Sequence, residues 1–418
     1  MKSTVDQADQ KDPQDIIRTH LAALKRAGLQ RRLRHLSGPP GPRINVDGHS
    51  VLLLCSNNYL GLATDDRLKQ AAQAAISTYG CGATGSRLIS GNLEPYEHLE
   101  LDLAAFKNSE SALIFPSGYQ ANVGTVAALV GSRDMIFSDA LNHASLIDGS
   151  RQSRAEMVTY NHCDPADLEA KLKMHAAARQ KLILTESVYS MDGDLAPLRE
   201  ICFLAKKYSA LLLVDEAHAT GLFGSNGAGL VSEYGLQSNV DIQMGTFSKA
   251  LGSLGGYIAA SRELIDFMLH RARSLIFSTA LPPAVLDASR TALQIVREEP
   301  GRRQALWKNV ARLRDGLARM GLDTSPSLSQ ILPVRLGDAQ RTMVASRFLL
   351  KKGVFVQGVR PPTVPLGTAR LRISPMATHS DDDISTALTA LESLQFALRQ
   401  RKNRLQQKAT LVSISDNS

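Results

Sequence analysis

The chain has 418 residues, 44% of them hydrophobic and 21% charged, enough to bury the cores of a large and a small domain and too apolar for disorder to be its main state. The formal charge of +8 would suit an anionic partner, but no apolar run approaches the roughly 20 residues of a membrane span. Four scattered cysteines, Cys55, Cys81, Cys163 and Cys202, form no Cys-x-x-Cys pair; this speaks against a zinc site or disulfide framework and suits a reducing cytosol.

Met1 to Pro13 is polar and lacks an apolar signal core, so a cytoplasmic location is expected and no metal is. Asp15 to Leu36 carries leucines and alanines at helical spacing between basic residues and predicts an amphipathic helix, stopped by Ser37-Gly-Pro-Pro-Gly-Pro42. Ile44 to Val51 reads as a hairpin turning at Asp47-Gly48. From about 66 to 260 short apolar runs alternate with helical stretches. Strands are expected at Ser111–Phe115, Asp134–Ser138, Lys181–Thr185, Ala210–Val214 and Val240–Gly245, with helices such as Gln120–Val130, Asp164–His175 and Leu198–Tyr208 between them. This rhythm predicts an α/β fold: a mainly parallel central sheet between helices. A helix after Pro282-Pro283 and a break at Pro300-Gly301 lead to a smaller α+β domain. The expected organisation is an N-terminal helix and hairpin over 1–50, a large domain over 51–300, a small domain over 301–400 and a flexible tail over 401–418.

Two basic stretches, Lys25 to Arg34 and Arg399 to Lys408, are not interleaved with aromatics. They read as a solvated helix face and a loose tail rather than a nucleic-acid surface. Gly80-Cys-Gly-Ala-Thr-Gly85 matches a dinucleotide-binding pattern, but a helix precedes it where a strand is needed, so that reading fails on context. No Gly-x-Ser-x-Gly elbow, His-Glu-x-x-His or Walker A lysine occurs.

The chemistry-bearing residues cluster at strand ends. Asp215 closes a buried apolar strand in Val214-Asp-Glu-Ala-His218, on the carboxyl edge where open α/β sheets hold ligands. Lys249 follows the next strand in Gly245-Thr-Phe-Ser-Lys-Ala-Leu-Gly252, among small and hydroxyl residues that admit a phosphate. Taken singly, Asp215 would be a cap, His218 a structural histidine and Lys249 a solvated charge; their ordered combination carries the signal. Pro116-Ser-Gly-Tyr-Gln-Ala-Asn122 lies between strand and helix, where free N–H groups make an anion site, and Asn142-His143 follows another strand.

With Cys55-Ser-Asn-Asn-Tyr-Leu-Gly-Leu62 and Thr185-Glu-Ser-Val-Tyr-Ser-Met-Asp-Gly-Asp194, these motifs resemble the α-oxoamine synthases, pyridoxal 5'-phosphate enzymes of aspartate-aminotransferase fold type I, from about Leu24 to Ala397. The resemblance implies a Schiff base on Lys249, Asp215 against the pyridine nitrogen, His218 on the ring's phenolic oxygen and His143 stacked on its face. Ser190 would lie near that oxygen, and Gly118, Tyr119 and Thr246 would hold the phosphate. Ser278 and Thr279 would reach a phosphate in the neighbouring subunit, which implies a homodimer with shared active sites. Arg372, helped by Asn57, would hold the substrate carboxylate; a two-pronged guanidinium suits that task. The string Arg360-Pro-Pro-Thr-Val-Pro365 with Gly367-Thr-Ala-Arg-Leu-Arg372 resembles the members that join L-alanine to a pimeloyl thioester, on coenzyme A or an acyl carrier, in biotin biosynthesis. Siblings join glycine to an acetyl donor, or serine to a longer acyl chain. Thr363 and Arg31 would meet substrate, with Arg32 and Arg34 as alternatives to Arg31. Two departures from that pattern are Ala219 and the sparse glycines of 83–91; neither touches the cofactor chemistry, and the loop bears on the acyl group accepted.

Overall fold

The computed structural model describes residues 12–324 and 326–415. Its centre is a seven-stranded sheet: β1 Ser111–Phe115, β2 Met135–Asp139, β3 Glu156–Tyr160, β4 Lys181–Glu186, β5 Leu211–Asp215, β6 Ile242–Thr246 and β7 Gly256–Ala260, in the order β1-β7-β6-β5-β4-β2-β3. β2 to β6 are parallel among themselves and with β3, while β7 runs antiparallel to both its neighbours. The strands lack polar alternation because both faces are covered. In β5, Leu212 and Val214 join one hydrophobic core while Leu213 joins a separate one across the sheet.

The five strands expected from sequence are present within two residues. β3 and β7 are additional. β3 is an edge strand with half-exposed residues, so it lacks an apolar run. β7 is glycine- and alanine-rich and starts after a connection, 247–255, too short for the crossover a parallel partner needs, which is why it returns antiparallel. Gly256 lies against the start of the helix Gly118–Leu129: a Cβ there would stand 2.5 Å from Gly118 Cα.

The predicted hairpin is Arg43–Val46 and His49–Leu53, turning where Asp47 and Gly48 take positive φ angles of 51° and 87°. Val354–Phe355 joins it in parallel, and Leu332–Gly337, Ala369–Ile373 and Gln357–Val359 form a separate antiparallel sheet. The N-terminal helix is shorter than the periodicity predicts, Pro13–Arg26, because Ala27 and Gly28 end it before the proline cluster; it buries none of its residues. The final helix begins at Asp381 and continues to Ser415, where a loose tail was expected from 401. The expectations for Met1 to Lys11 and for 416–418 lie outside the described residues. Among the described residues no helix is long and apolar enough to cross a membrane.

Candidate active site

The carboxyl ends of β4, β5 and β6 and the turns after β1 and β2 bring most of the predicted residues to one cleft. Asp215, the last residue of β5, is buried. Its Oδ2 accepts from Asn122 Nδ2 at 2.8 Å and its Oδ1 from the Ala217 N–H at 2.8 Å. Lys249 stands after β6 on the 247–255 connection, and its amine makes no hydrogen bond or ion pair among the described residues. Burial, with help from the Arg372 charge, lowers its pKa to about 8 against the pull of Asp215 and Glu186. More of the amine is therefore neutral, and nucleophilic, near neutral pH than for an ordinary lysine.

Glu186 was not singled out from sequence. It is paired in register with Asp215 on the neighbouring strand, and its Oε1 accepts the His143 N–H at 2.6 Å. Burial first, then the Asp215 charge, raises its pKa well above the carboxylate range, which favours its protonated form. His143 caps the helix Ala144–Ser153 and turns its exposed ring to the cleft; Nδ1 accepts the Ser145 N–H at 3.2 Å. Partial burial and the Lys249 charge lower its pKa, despite Asp215. It is a neutral imidazole.

His218 is buried, and its Nδ1 shares a 2.8 Å hydrogen bond with the Tyr59 hydroxyl. Burial, then Lys249 and Arg372, hold its pKa well below the ordinary histidine value. Tyr59, also missed from sequence, is a hub: its hydroxyl donates to Asn57 Oδ1 at 3.0 Å and accepts from Arg372 Nη2 at 3.2 Å. Arg372 further donates from Nε to the Ser190 carbonyl at 2.7 Å and from Nη1 to Ser374 Oγ at 3.0 Å. It is 7% exposed, yet no carboxylate pairs with it among the described residues. A buried guanidinium without a counter-ion is costly unless an anion joins it in function.

At the other side of the cleft, Gly118 and Tyr119 open a helix whose first N–H groups have no acceptor within it. Ser117 Oγ caps only Gln120 N, at 3.2 Å. Thr246 Oγ1 donates to the Gly255 carbonyl at 2.6 Å and accepts the Ser248 N–H at 3.2 Å, so it shapes the 247–255 connection where it faces this helix end. A Cβ on Gly118 would stand 3.1 Å from Met244 Cε, which keeps the backbone there bare. Ser278 Oγ accepts from Gln120 Nε2 of the same chain at 2.9 Å, and Thr279 bridges to Ser86.

These residues fit pyridoxal 5'-phosphate. Helix N–H groups and hydroxyls answer a phosphate, a buried aspartate answers a pyridinium, and an unpartnered amine of lowered pKa answers an aldehyde. Asn122 Oδ1, buried and without a partner, leaves one more acceptor facing this region beside Asp215.

Further out, Arg31 Nη2 donates to Thr363 Oγ1 at 3.4 Å, so the two predicted substrate residues do meet. Arg34 pairs instead with Asp47 and lies over Phe355. Arg360 holds the intervening strap by donating to the Gly28 carbonyl and, at 2.9 Å, the Gln30 carbonyl. A strand-end position could have signalled Glu186; Tyr59 and Asn122 had no signal beyond lying within quoted motifs.

The class I and II aminotransferase family matches residues 49–391. The 8-amino-7-oxononanoate synthase of Geobacter metallireducens is 49% identical over 376 residues, 90% of this chain and 96% of that protein. Relatives of the same name from Geobacter sulfurreducens and Anaeromyxobacter dehalogenans are 49% and 47% identical. Among solved structures, Sphingomonas wittichii serine palmitoyltransferase superposes with a TM-score of 0.88 at 35% identity, covering 93% of this chain and 99% of that one. An SPT structure holding PLP superposes equally well, at 0.88 and 32% identity, with the same coverage.

Proposed function

Because the chain belongs to the class I and II aminotransferase family, and within it to the α-oxoamine synthases, we propose that it condenses L-alanine with a pimeloyl thioester, releasing carbon dioxide and the thiol and forming 8-amino-7-oxononanoate for biotin. The observation that carries this reading is the pairing of two unsatisfied cations in one cleft: the free amine of Lys249 and the buried, counter-ion-free Arg372.

Pyridoxal 5'-phosphate, when bound, supplies the electron sink for negative charge on the amino acid's α-carbon. The protein's residues do the rest. Lys249 Nζ forms and releases the covalent attachment and then takes the α-proton; its lowered pKa keeps it neutral enough for both tasks. Asp215, fixed by Asn122 and Ala217, presents its carboxylate to the ring nitrogen. His143, uncharged, covers the ring face, and His218 meets the phenolic oxygen from its anchorage on Tyr59. Gly118, Tyr119 and Thr246 take the phosphate. Arg372 forks onto the α-carboxylate, oriented by the Ser190 carbonyl, with Asn57 behind Tyr59. Arg31 and Thr363 stand by the acyl donor, on coenzyme A or an acyl carrier, and Arg31 rather than Arg34 is assigned because Arg34 is engaged by Asp47. Ser278 and Thr279 act across a homodimer.

A serine-using sibling activity is the second reading, supported by the serine palmitoyltransferase superposition; the higher identity to the alanine-using relatives favours the first. Thiol release across a matrix of amino acids and acyl thioesters decides between them. Preference for serine with a long-chain donor, or for glycine with an acetyl donor, would sink the alanine reading. Borohydride reduction and peptide mapping test the site: an adduct on any lysine but Lys249 overturns it.

A further inference from the structure

His162 lies away from the cleft, in the turn after β3. Its Nδ1 bonds to Asp139 Oδ1 at 2.8 Å and its Nε2 to Asp194 Oδ2 at 2.7 Å. Burial alone would lower its pKa, but the two carboxylates outweigh that and push it up to about 12, so the ring is an imidazolium. The Tyr189 ring meets it edge-on at 4.4 Å. Asp139, His162 and Cys163 stand close enough to suggest a metal site, yet a ring protonated on both nitrogens has no lone pair to offer. The arrangement is a cationic bridge.

What it bridges are two turns of the active site. Asp139 ends β2, and its Oδ1 also accepts the Leu141 N–H at 2.8 Å, at the start of the turn that leads to His143. Its Oδ2 accepts the Cys163 N–H at 2.8 Å, closing the His162 side. Asp194 ends the turn after β4, whose own backbone is tied by Tyr189 N to the Asp194 carbonyl at 3.1 Å and Gly193 N to the Tyr189 carbonyl at 2.8 Å. That turn presents the Ser190 carbonyl to Arg372 and the Asp192 carboxylate to Arg370 and Arg335. Without the cation, Asp139 and Asp194 would be left as two negative charges facing one gap.

We propose that His162 is a positioning residue for recognition of the amino-acid carboxylate: by joining Asp139 to Asp194 it fixes the 187–194 turn, and through the Ser190 carbonyl it sets the direction of Arg372. The inference rests on the reading of Arg372 as the carboxylate holder. His162→Gln keeps a donor but loses the charge and one bond. In the cofactor-loaded enzyme it is expected to raise the KM for L-alanine about ten-fold, with kcat and the acyl-thioester KM changed less than about three-fold. Amide hydrogen exchange in the protein without cofactor or substrate should quicken over 187–194 and stay unchanged over β1. Asp194→Asn, which keeps the shape and removes the charge, should show the same split more weakly and stands in if H162Q does not fold. Loss spread equally over kcat and both KM values, or an alanine KM unchanged in these variants, overturns the proposal. Arg372→Ala judges the underlying reading separately: if it leaves the alanine KM intact, the carboxylate assignment falls whatever His162 does to exchange.

Discussion

Two lysines are drawn into this fold and meet opposite fates. Lys107 ends the helix Glu94–Lys107, is 1% exposed, and gives its ammonium to Glu216 Oε2 and the Ala228 carbonyl, both at 2.5 Å. Burial works against its charge, but Glu216 and Tyr257 prevail and raise its pKa. Lys249 has no such partner, and its pKa falls. The arginines repeat the contrast two residues apart on one strand: Arg370 is locked to Asp192, whereas Arg372 meets only neutral oxygens. Even the acids divide. Asp215 faces the cleft while its neighbour Glu216 turns to Lys107 and the Val231 N–H. Among these lysines and arginines, Lys107 and Arg370 each have a carboxylate partner, and Lys249 and Arg372 have none among the described residues.

That contrast can be broken in descending order of effect. Lys249→Ala should abolish turnover, by about a thousand-fold or more, and the borohydride adduct with it, with the urea midpoint nearly unchanged. Lys107→Met should do the reverse, lowering stability by about 3–5 kcal/mol because Glu216 is left buried and unpaired, while the folded fraction keeps its alanine KM. Among the arginines, Arg372→Lys should raise the alanine KM about a hundred-fold with little change in unfolding. Arg370→Ala should cost about 2 kcal/mol of stability, since Asp192 keeps Arg335, and leave the KM nearly alone. If the two arginine variants behave alike, the pairing argument fails.

Acidity sharpens the same point. Capture of a small aldehyde by Lys249 requires the neutral amine, so its rate should rise from pH 7 and level off above pH 9, with a midpoint at about 8. A midpoint near an ordinary lysine's 10.5 would show the amine to be solvated. The smallest effect is expected at Glu186. Burial and the Asp215 charge raise its pKa and favour the protonated form, so Glu186→Gln should keep kcat within about three-fold and move the midpoint for Lys249 little. A large downward shift of that midpoint would mean that Glu186 carries a negative charge that holds it up.

Much of this was legible in the residues. Apolar runs placed β1, β2, β4, β5 and β6, and Asp215, His218 and Lys249 follow their strands where such sheets hold ligands. What stayed hidden depends on partners far along the chain. Nothing local in Tyr59 announces that His218, Asn57 and Arg372 will all meet its hydroxyl, and Arg370 and Arg372 differ only in whether an aspartate from the 187–194 turn reaches them. β7 escaped because small residues carry little periodic signal, and the N-terminal helix was overextended because basic residues at helical spacing continue past the glycine that ends it.

The antiparallel insertion of β7 also sets a timetable. Among the described residues β1 pairs only with β7, and Phe115 must wait for Gly256, which leaves the ribosome 141 residues later. At roughly 5–20 residues per second, that is a delay of about 7–28 seconds during which the strand preceding Gly118 has no strand partner. When Gly256 arrives it closes against Gly118, just after the Lys249 loop has emerged. The Gly118 helix start and the Lys249 loop are thus held together only once β7 is in place.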